Sequence, residues 1–225
     1  SKICCMIYKK NKVIFLHIYK IAGKSIKSSL LENQDKNLLS NKIYNNTFGY
    51  LGYKKKYLPH QSIEIKRNGE LLHSHIRAAD YKEYLGHEFN NYFTFTFVRN
   101  PFDWQVSLYQ FMREMKSHPQ HSLMLSMNFK EYINWRCTEE PEHQTFFILD
   151  DKGENLVDFI GKFESLEKDL KKVSDLKGLK MKKLEHLGPS NRRDYREYYD
   201  SDSQKLLVNT FKKDFEFLEY STCLL

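Results

Sequence analysis

Two segments of this chain place cations at the ends of strand-like runs, which is the chemistry of an anion site. The first reads VIFLHIYKIAGKSIKSSL. Residues 13–18 are short, β-branched and aromatic, as in a strand buried on both faces. A turn containing Lys20, Ala22, Gly23, Lys24 and Ser25 follows, and Ile26 with Leu30 at i, i+4 marks a helix. A helix start exposes unpaired backbone N–H groups and the positive end of its dipole, and Gly23 lets a ligand approach the backbone. Lys20 and Lys24 add point charges, and Ser25 adds a hydroxyl donor. In the second segment, RNPFDWQVSLY, Arg99 leaves a strand-like run at 92–98, and Ser107 lies two turns into the next helix. The donor fork of arginine matches a phosphate, so Arg99 and Ser107 converge on one anion if that helix packs back on the strand end.

Gly23, Lys24 and Ser25 match the second half of the phosphate loop G-x-x-x-x-G-K followed by Ser or Thr, but its first glycine falls on Ile18. A complete loop of that kind is therefore missing. The bland alternative is a strand–turn–helix connection that Gly23 and Ser25 merely cap. Between the two segments lies LLHSHIRAADY, whose His73 and His75 share one side of a strand-like stretch. A histidine near neutral pKa suits proton removal. Two histidines at i, i+2 also suit a metal, but no carboxylate or cysteine cluster accompanies them. His17, inside the first strand, reads as a structural histidine.

Periodicity defines the elements that must hold these residues. The strands expected at 13–18 and 92–98 each feed a helix, which points to an α/β fold with a parallel sheet. Asn100 as N-cap, Pro101 at the first helical position and Asp103 in the first turn start the second helix. Trp104, Leu108, Phe111 and Met115 form its apolar stripe. Residues 145–149 and 156–163 flank the turn DDKGEN and are expected to pair as a hairpin. Helices are expected at 165–176 and 203–218. No repeat or low-complexity linker divides residues 1–225, so a single domain is expected.

Composition sets the outer bounds. Sixteen Phe and fifteen Tyr argue against disorder. No apolar run approaches the ~18–20 residues of a membrane span, and the first residues do not read as a signal peptide. Cys4, Cys5, Cys137 and Cys223 fit neither a disulfide framework nor paired zinc ligands, so a reducing, cytoplasmic setting is expected. The net charge of +7 fits an anionic partner or merely solvated lysine faces, and charge alone does not choose.

The two segments together resemble the sulfotransferases that use 3′-phosphoadenosine 5′-phosphosulfate (PAPS). The likeness is to the carbohydrate-type branch, whose 5′-phosphosulfate loop begins H-I-P-K-T-A-G-T-S and here reads HIYKIAGKS. RNPFDWQVSLY resembles that family's 3′-phosphate motif, R-N-P followed by S-x-Y. IGKFESLEKDL and HLGPSNRRDYREYYD are also similar, so the likeness spans about residues 13–220. Tyr19 stands where the family has proline, Ile21 and Lys24 replace two threonines, and Gly188 replaces a frequent asparagine.

The resemblance implies a P-loop-like parallel sheet flanked by helices, and sulfuryl transfer from PAPS to an acceptor hydroxyl, with carbohydrate the expected acceptor. It implies Ala22, Gly23, Lys24, Ser25 and Ile26 at the 5′-phosphate, and Lys20 at the bridging oxygen. It places Arg99 and Ser107 at the 3′-phosphate, and Ser190, Asn191, Arg192 and Arg193 in a basic loop over the nucleotide. His75 is the expected base, and no metal, nucleic acid or membrane span is expected. Two rivals are weighed against this. An ATP- and Mg²⁺-dependent kinase needs a carboxylate at a strand end, whereas Asp150 and Asp151 read as a turn tip. A non-enzymatic polyanion-binding module explains the charge but leaves the ordered cationic segments without a purpose.

Overall fold

The run FTFTFV alternates phenylalanine with threonine, and both faces of it are buried. In the computed structural model, which describes residues 6–33, 65–67, 70–71, 75–184 and 192–224, it is a central strand of the main sheet. The first half of the chain contributes β1 (Ile7–Tyr8), β2 (Val13–Leu16), α1 (Gly23–Ser29), β3 (Lys66–Arg67), β4 (Glu70–Leu71), α2 (Ala78–Leu85) and β5 (Phe93–Val98). Then come α3 (Pro101–Glu114), α4 (His121–Leu125), α5 (Phe129–Thr138), α6 (Thr145–Ile148) and β6 (Phe159–Lys162). The helices α7 (Leu166–Lys177), α8 (Ser201–Thr210) and α9 (Lys212–Phe217) complete the order. The main sheet runs β1-β2-β5-β6, with β2, β5 and β6 parallel and β1 antiparallel at the edge. This is the expected α/β architecture, a mostly parallel sheet flanked by helices.

The polar positions of β5 survive burial because each finds a partner. The Thr96 hydroxyl donates to the Leu16 carbonyl at 2.8 Å, and that of Thr94 to the Leu156 carbonyl at 2.9 Å. Phe15 stacks on Phe95 at 5.0 Å between ring centroids and meets Phe97 edge-on. Gly161 of β6 is required here, since a Cβ on it would lie 2.5 Å from the Phe97 ring. The start of α3 follows its sequence signals, with the Asn100 side chain accepting from the Phe102 N–H at 3.0 Å and Pro101 beside it. Its buried face is wider than the expected stripe: Phe102, Val106, Tyr109 and Met112 join Trp104 and Leu108, while Met115 is exposed.

Three expectations are corrected. Residues 145–149 do not pair as a strand in a hairpin: Thr145–Ile148 is a helical turn, and the pairing reduces to a bridge between Leu149 and Asn155. The reason is the buried Asp214 carboxylate, which accepts the N–H groups of Gln144 and Thr145 at 2.8 and 3.0 Å and so caps that turn. The second half of the proposed hairpin, β6, instead joins β5 in parallel. The helix expected at 203–218 breaks at Phe211 into α8 and α9. His75 itself is not extended, since its φ is +53°, in the left-handed region. His73 lies outside the described residues. Asp150 does sit at a turn tip, accepting the N–H groups of Lys152 and Glu154. Among the described residues no helix is long and apolar enough to cross a membrane.

Register decides what the sheet presents. Leu16 lies opposite Thr96, and Val98 opposite Lys162, so β2, β5 and β6 end at one edge. The residues that follow them there include Tyr19 and Lys20, Arg99, and Phe163.

Candidate active site

At that edge Arg99 is the hub. It is 7% exposed, lies over the Phe163 ring at 4.0 Å, and donates through Nη1 to the Lys20 carbonyl at 3.1 Å. Its Nε donates to Asp103 at 2.7 Å, and Arg192 donates to the other oxygen of the same carboxylate. The end of β2, the end of β5 and the segment after residue 191 therefore meet at two arginines and one aspartate. Asp103, Ser107 and Phe111 form an i, i+4, i+8 row on α3. One end of that row holds Arg99 and Arg192; at the other, the Lys20 amine lies 4.0 Å from the Phe111 ring centroid. Half-buried Ser107 is the residue of that row between Asp103 and Phe111.

Lys20 and Ala22 have φ of +61° and +50°, so the turn after β2 carries two non-glycine residues in the left-handed region. Gly23 follows, and a Cβ on it would lie 1.8 Å from the His17 imidazole. The absence of a side chain is what lets the turn close over that ring. Ser25 and Ile26 are buried and Lys24 is exposed. The Ile26 N–H already donates to the Ala22 carbonyl at 3.0 Å, which corrects the expectation that it faces the anion and leaves Gly23, Lys24 and Ser25 at the open start of α1. Gly23→Ala is expected to cost about 1–3 kcal/mol, measured by denaturant unfolding. His17→Ala in the same chain is expected to restore most of that loss, since the three atoms nearest the added methyl all belong to that ring.

His17 and His75 are neighbours, with ring centroids 4.7 Å apart. His75 Nδ1 lies 3.1 Å from the His17 carbonyl oxygen, which can only accept, so Nδ1 carries the proton and Nε2 keeps a lone pair. Burial pushes the His75 pKa below its ordinary value, against the contrary effect of that hydrogen bond. His17 is driven down to about 3, first by burial and then by His75 and Lys27. Lys20 is lowered to about 8, first by burial and then by Arg99 and Lys24. An ammonium lowered by burial and by neighbouring cations is a group that an anion would stabilise.

Residues 5–221 match the sulfotransferase family. The chain belongs to that family. No curated protein and no solved structure matches the sulfotransferase closely enough to refine the assignment. Sulfuryl transfer is the family's chemistry, and PAPS is its general donor.

The fold brings Lys20, Arg99 and Arg192 to one edge, with Ser107 on the α3 row between Asp103 and Phe111, and His75 to His17 beside Gly23. Arg193 is placed differently: it is exposed, with its guanidinium 4.4 Å from the Tyr198 ring centroid. Ser190 and Asn191 lie outside the described residues. Two supporting residues escape a reading of the sequence. Asp103 is read from the sequence only as an acid in the first turn of α3, and its pairing with Arg99, four residues before it, is what that reading misses. Gln144 had no local signal, because its partners are remote in the chain. Its fully buried amide accepts from the Arg99 N–H at 2.9 Å and donates to the Arg99 carbonyl at 2.8 Å. Gln144→Leu in the sulfotransferase is expected to cost about 1–3 kcal/mol for each backbone group it orphans, read by denaturant unfolding.

Proposed function

We propose that residues 1–225 act as one sulfotransferase-like domain that moves a sulfuryl group from PAPS to a carbohydrate hydroxyl. The observation that carries this reading is the junction of Arg99 with Lys20, which ties the two cationic segments together at one sheet edge. Arg99 and Ser107 take the 3′-phosphate, with Arg192 beside them and Asp103 holding both guanidiniums in place meanwhile. The backbone from Ala22 to Ser25 takes the 5′-phosphate, with Lys24 adding charge and Ser25 a hydroxyl donor. Ser190, Asn191 and Arg193 belong to the segment proposed to cover the nucleotide.

His75 Nε2 takes the acceptor's proton as the acceptor oxygen bonds to sulfur. The bond from sulfur to the bridging phosphate oxygen breaks, and Lys20 neutralises the charge that grows on that oxygen. Positioning and charge neutralisation carry most of the rate, as in phosphoryl transfer. The kinase alternative has no support at the turn after α6: Asp150 is used by backbone N–H groups and Asp151 pairs with Arg77 at 2.9 Å. Incubation with PAPS labelled in its sulfate and a panel of glycans tests the reading. Transfer of label to a glycan is expected; ATP-dependent phosphorylation with no sulfate transfer contradicts it.

A further inference from the structure

Beside α5 and α6 lies a cleft of about 440 Å³ that none of the roles above uses. Its size falls within the about 300–1,000 Å³ of small-molecule sites. Arg136, Glu140, Glu142, His143 and Phe146 line it. Arg136 is only 3% exposed, and its Nε has no hydrogen-bond partner among the described residues. Its Nη2 donates to the Tyr19 hydroxyl at 2.5 Å and to the Glu142 carbonyl at 3.1 Å. Tyr19 in turn meets His75 edge-on, at 5.5 Å between ring centroids. One aromatic side chain thus spans the distance from the cleft to the proposed base.

The lining is not cationic, in spite of the chain's net charge. One guanidinium faces two carboxylates, Glu140 is 45% exposed, and Phe146 is 37% exposed. Gln120 donates to Glu140 at 3.2 Å from the adjoining segment, and Arg77 lies on the Phe146 ring at 4.2 Å.

We propose that this cleft is an acceptor subsite that holds an uncharged sugar ring next to the ring whose hydroxyl faces His75. The inference rests on the sulfotransferase reading and narrows its acceptor class. Carboxylates accept from sugar hydroxyls, the arginine donates to them, and Phe146 offers an apolar surface to the sugar's C–H groups. A uronate or sulfated sugar placed here sets a third anion against Glu140 and Glu142, which penalises it. The cations at the sheet edge then serve the nucleotide and not the acceptor.

The test uses the full chain saturated with adenosine 3′,5′-bisphosphate, applied to an array of neutral and uronate-containing oligosaccharides, with titration calorimetry on those that bind. Neutral glycans are expected to bind more tightly than uronate-containing ones of equal length. Phe146→Ala is expected to weaken them roughly tenfold with bisphosphate affinity unchanged, the size of a lost ring contact. Glu140→Lys, a change at an exposed position, is expected to shift preference toward the anionic glycans. Preference of the unaltered chain for anionic glycans, no neutral glycan bound, or no effect of Phe146→Ala overturns the inference while leaving donor binding intact. Failure to bind adenosine 3′,5′-bisphosphate itself overturns the donor reading, and the acceptor subsite with it.

Discussion

Lys20→Ala is expected to lower kcat by about 10²–10³-fold while adenosine 3′,5′-bisphosphate binds with far less loss. The Lys20 amine rests on the Phe111 ring, and Arg99, Lys24 and Arg192 all act on it as like charges. Burial and those cations bring its pKa to about 8, so it is protonated at neutral pH but poorly balanced. Charge growing on a leaving phosphate supplies the missing balance in the transition state more than in the ground state, which is why the loss falls on turnover. The sign of the pH dependence follows. The charged form is the active one, so kcat/KM declines as pH rises through about 8. Lys20→Arg stays protonated across this range, and its alkaline limb is expected to move upward. Rates with labelled donor across pH check this; an alkaline limb that does not move assigns it to another group. Equal loss of turnover and of charged-polymer binding in Lys20→Ala favours the polyanion module instead.

The second large effect is expected at His75, where alanine lowers turnover by about 10²–10⁴-fold with donor affinity retained. The hydrogen bond from Nδ1 to the His17 carbonyl leaves Nε2 as the basic atom, and burial keeps the imidazole neutral at pH 7. The neutral form is the active one, so activity is lost as pH falls below the ordinary histidine value. His75→Ala removes the acid limb of the kcat/KM profile as well as most of the rate. Single-turnover kinetics and bisphosphate titration separate the two roles. A large loss of donor binding reassigns His75 to the nucleotide site.

What could be read from the sequence was local. The strand expected at 13–18 and the N-cap at Asn100 are recorded in neighbouring residues; the strand forms over 13–16, two residues shorter, and the cap forms where its signal lies. The cations at positions 20 and 99 reach one sheet edge for the same reason: Arg99 directly follows β5, and Lys20 comes four residues after the end of β2. The failures are non-local. The segment TFFI has the aromatic and β-branched composition of a strand, and a carboxylate 69 residues further on turns it into a helix. Gln144 clasps a backbone 45 residues before it, and the left-handed turn at His75 is joined to a carbonyl 58 residues away. Such pairings leave no periodicity and no motif. Tyr19 shows the same limit, since its replacement of proline gains meaning only when Arg136 arrives at its hydroxyl from α5.

The central claim is that the edge formed by Lys20, Arg99 and Ser107 is built for a nucleotide carrying a 3′-phosphate. Calorimetric titration with adenosine 3′,5′-bisphosphate in the presence of EDTA tests it most directly, with adenosine 5′-phosphate and ATP–Mg²⁺ as comparisons. Saturable binding without metal is expected, weakened roughly tenfold or more when the 3′-phosphate is missing. Binding of ATP–Mg²⁺ alone, or equal affinity with and without the 3′-phosphate, contradicts it.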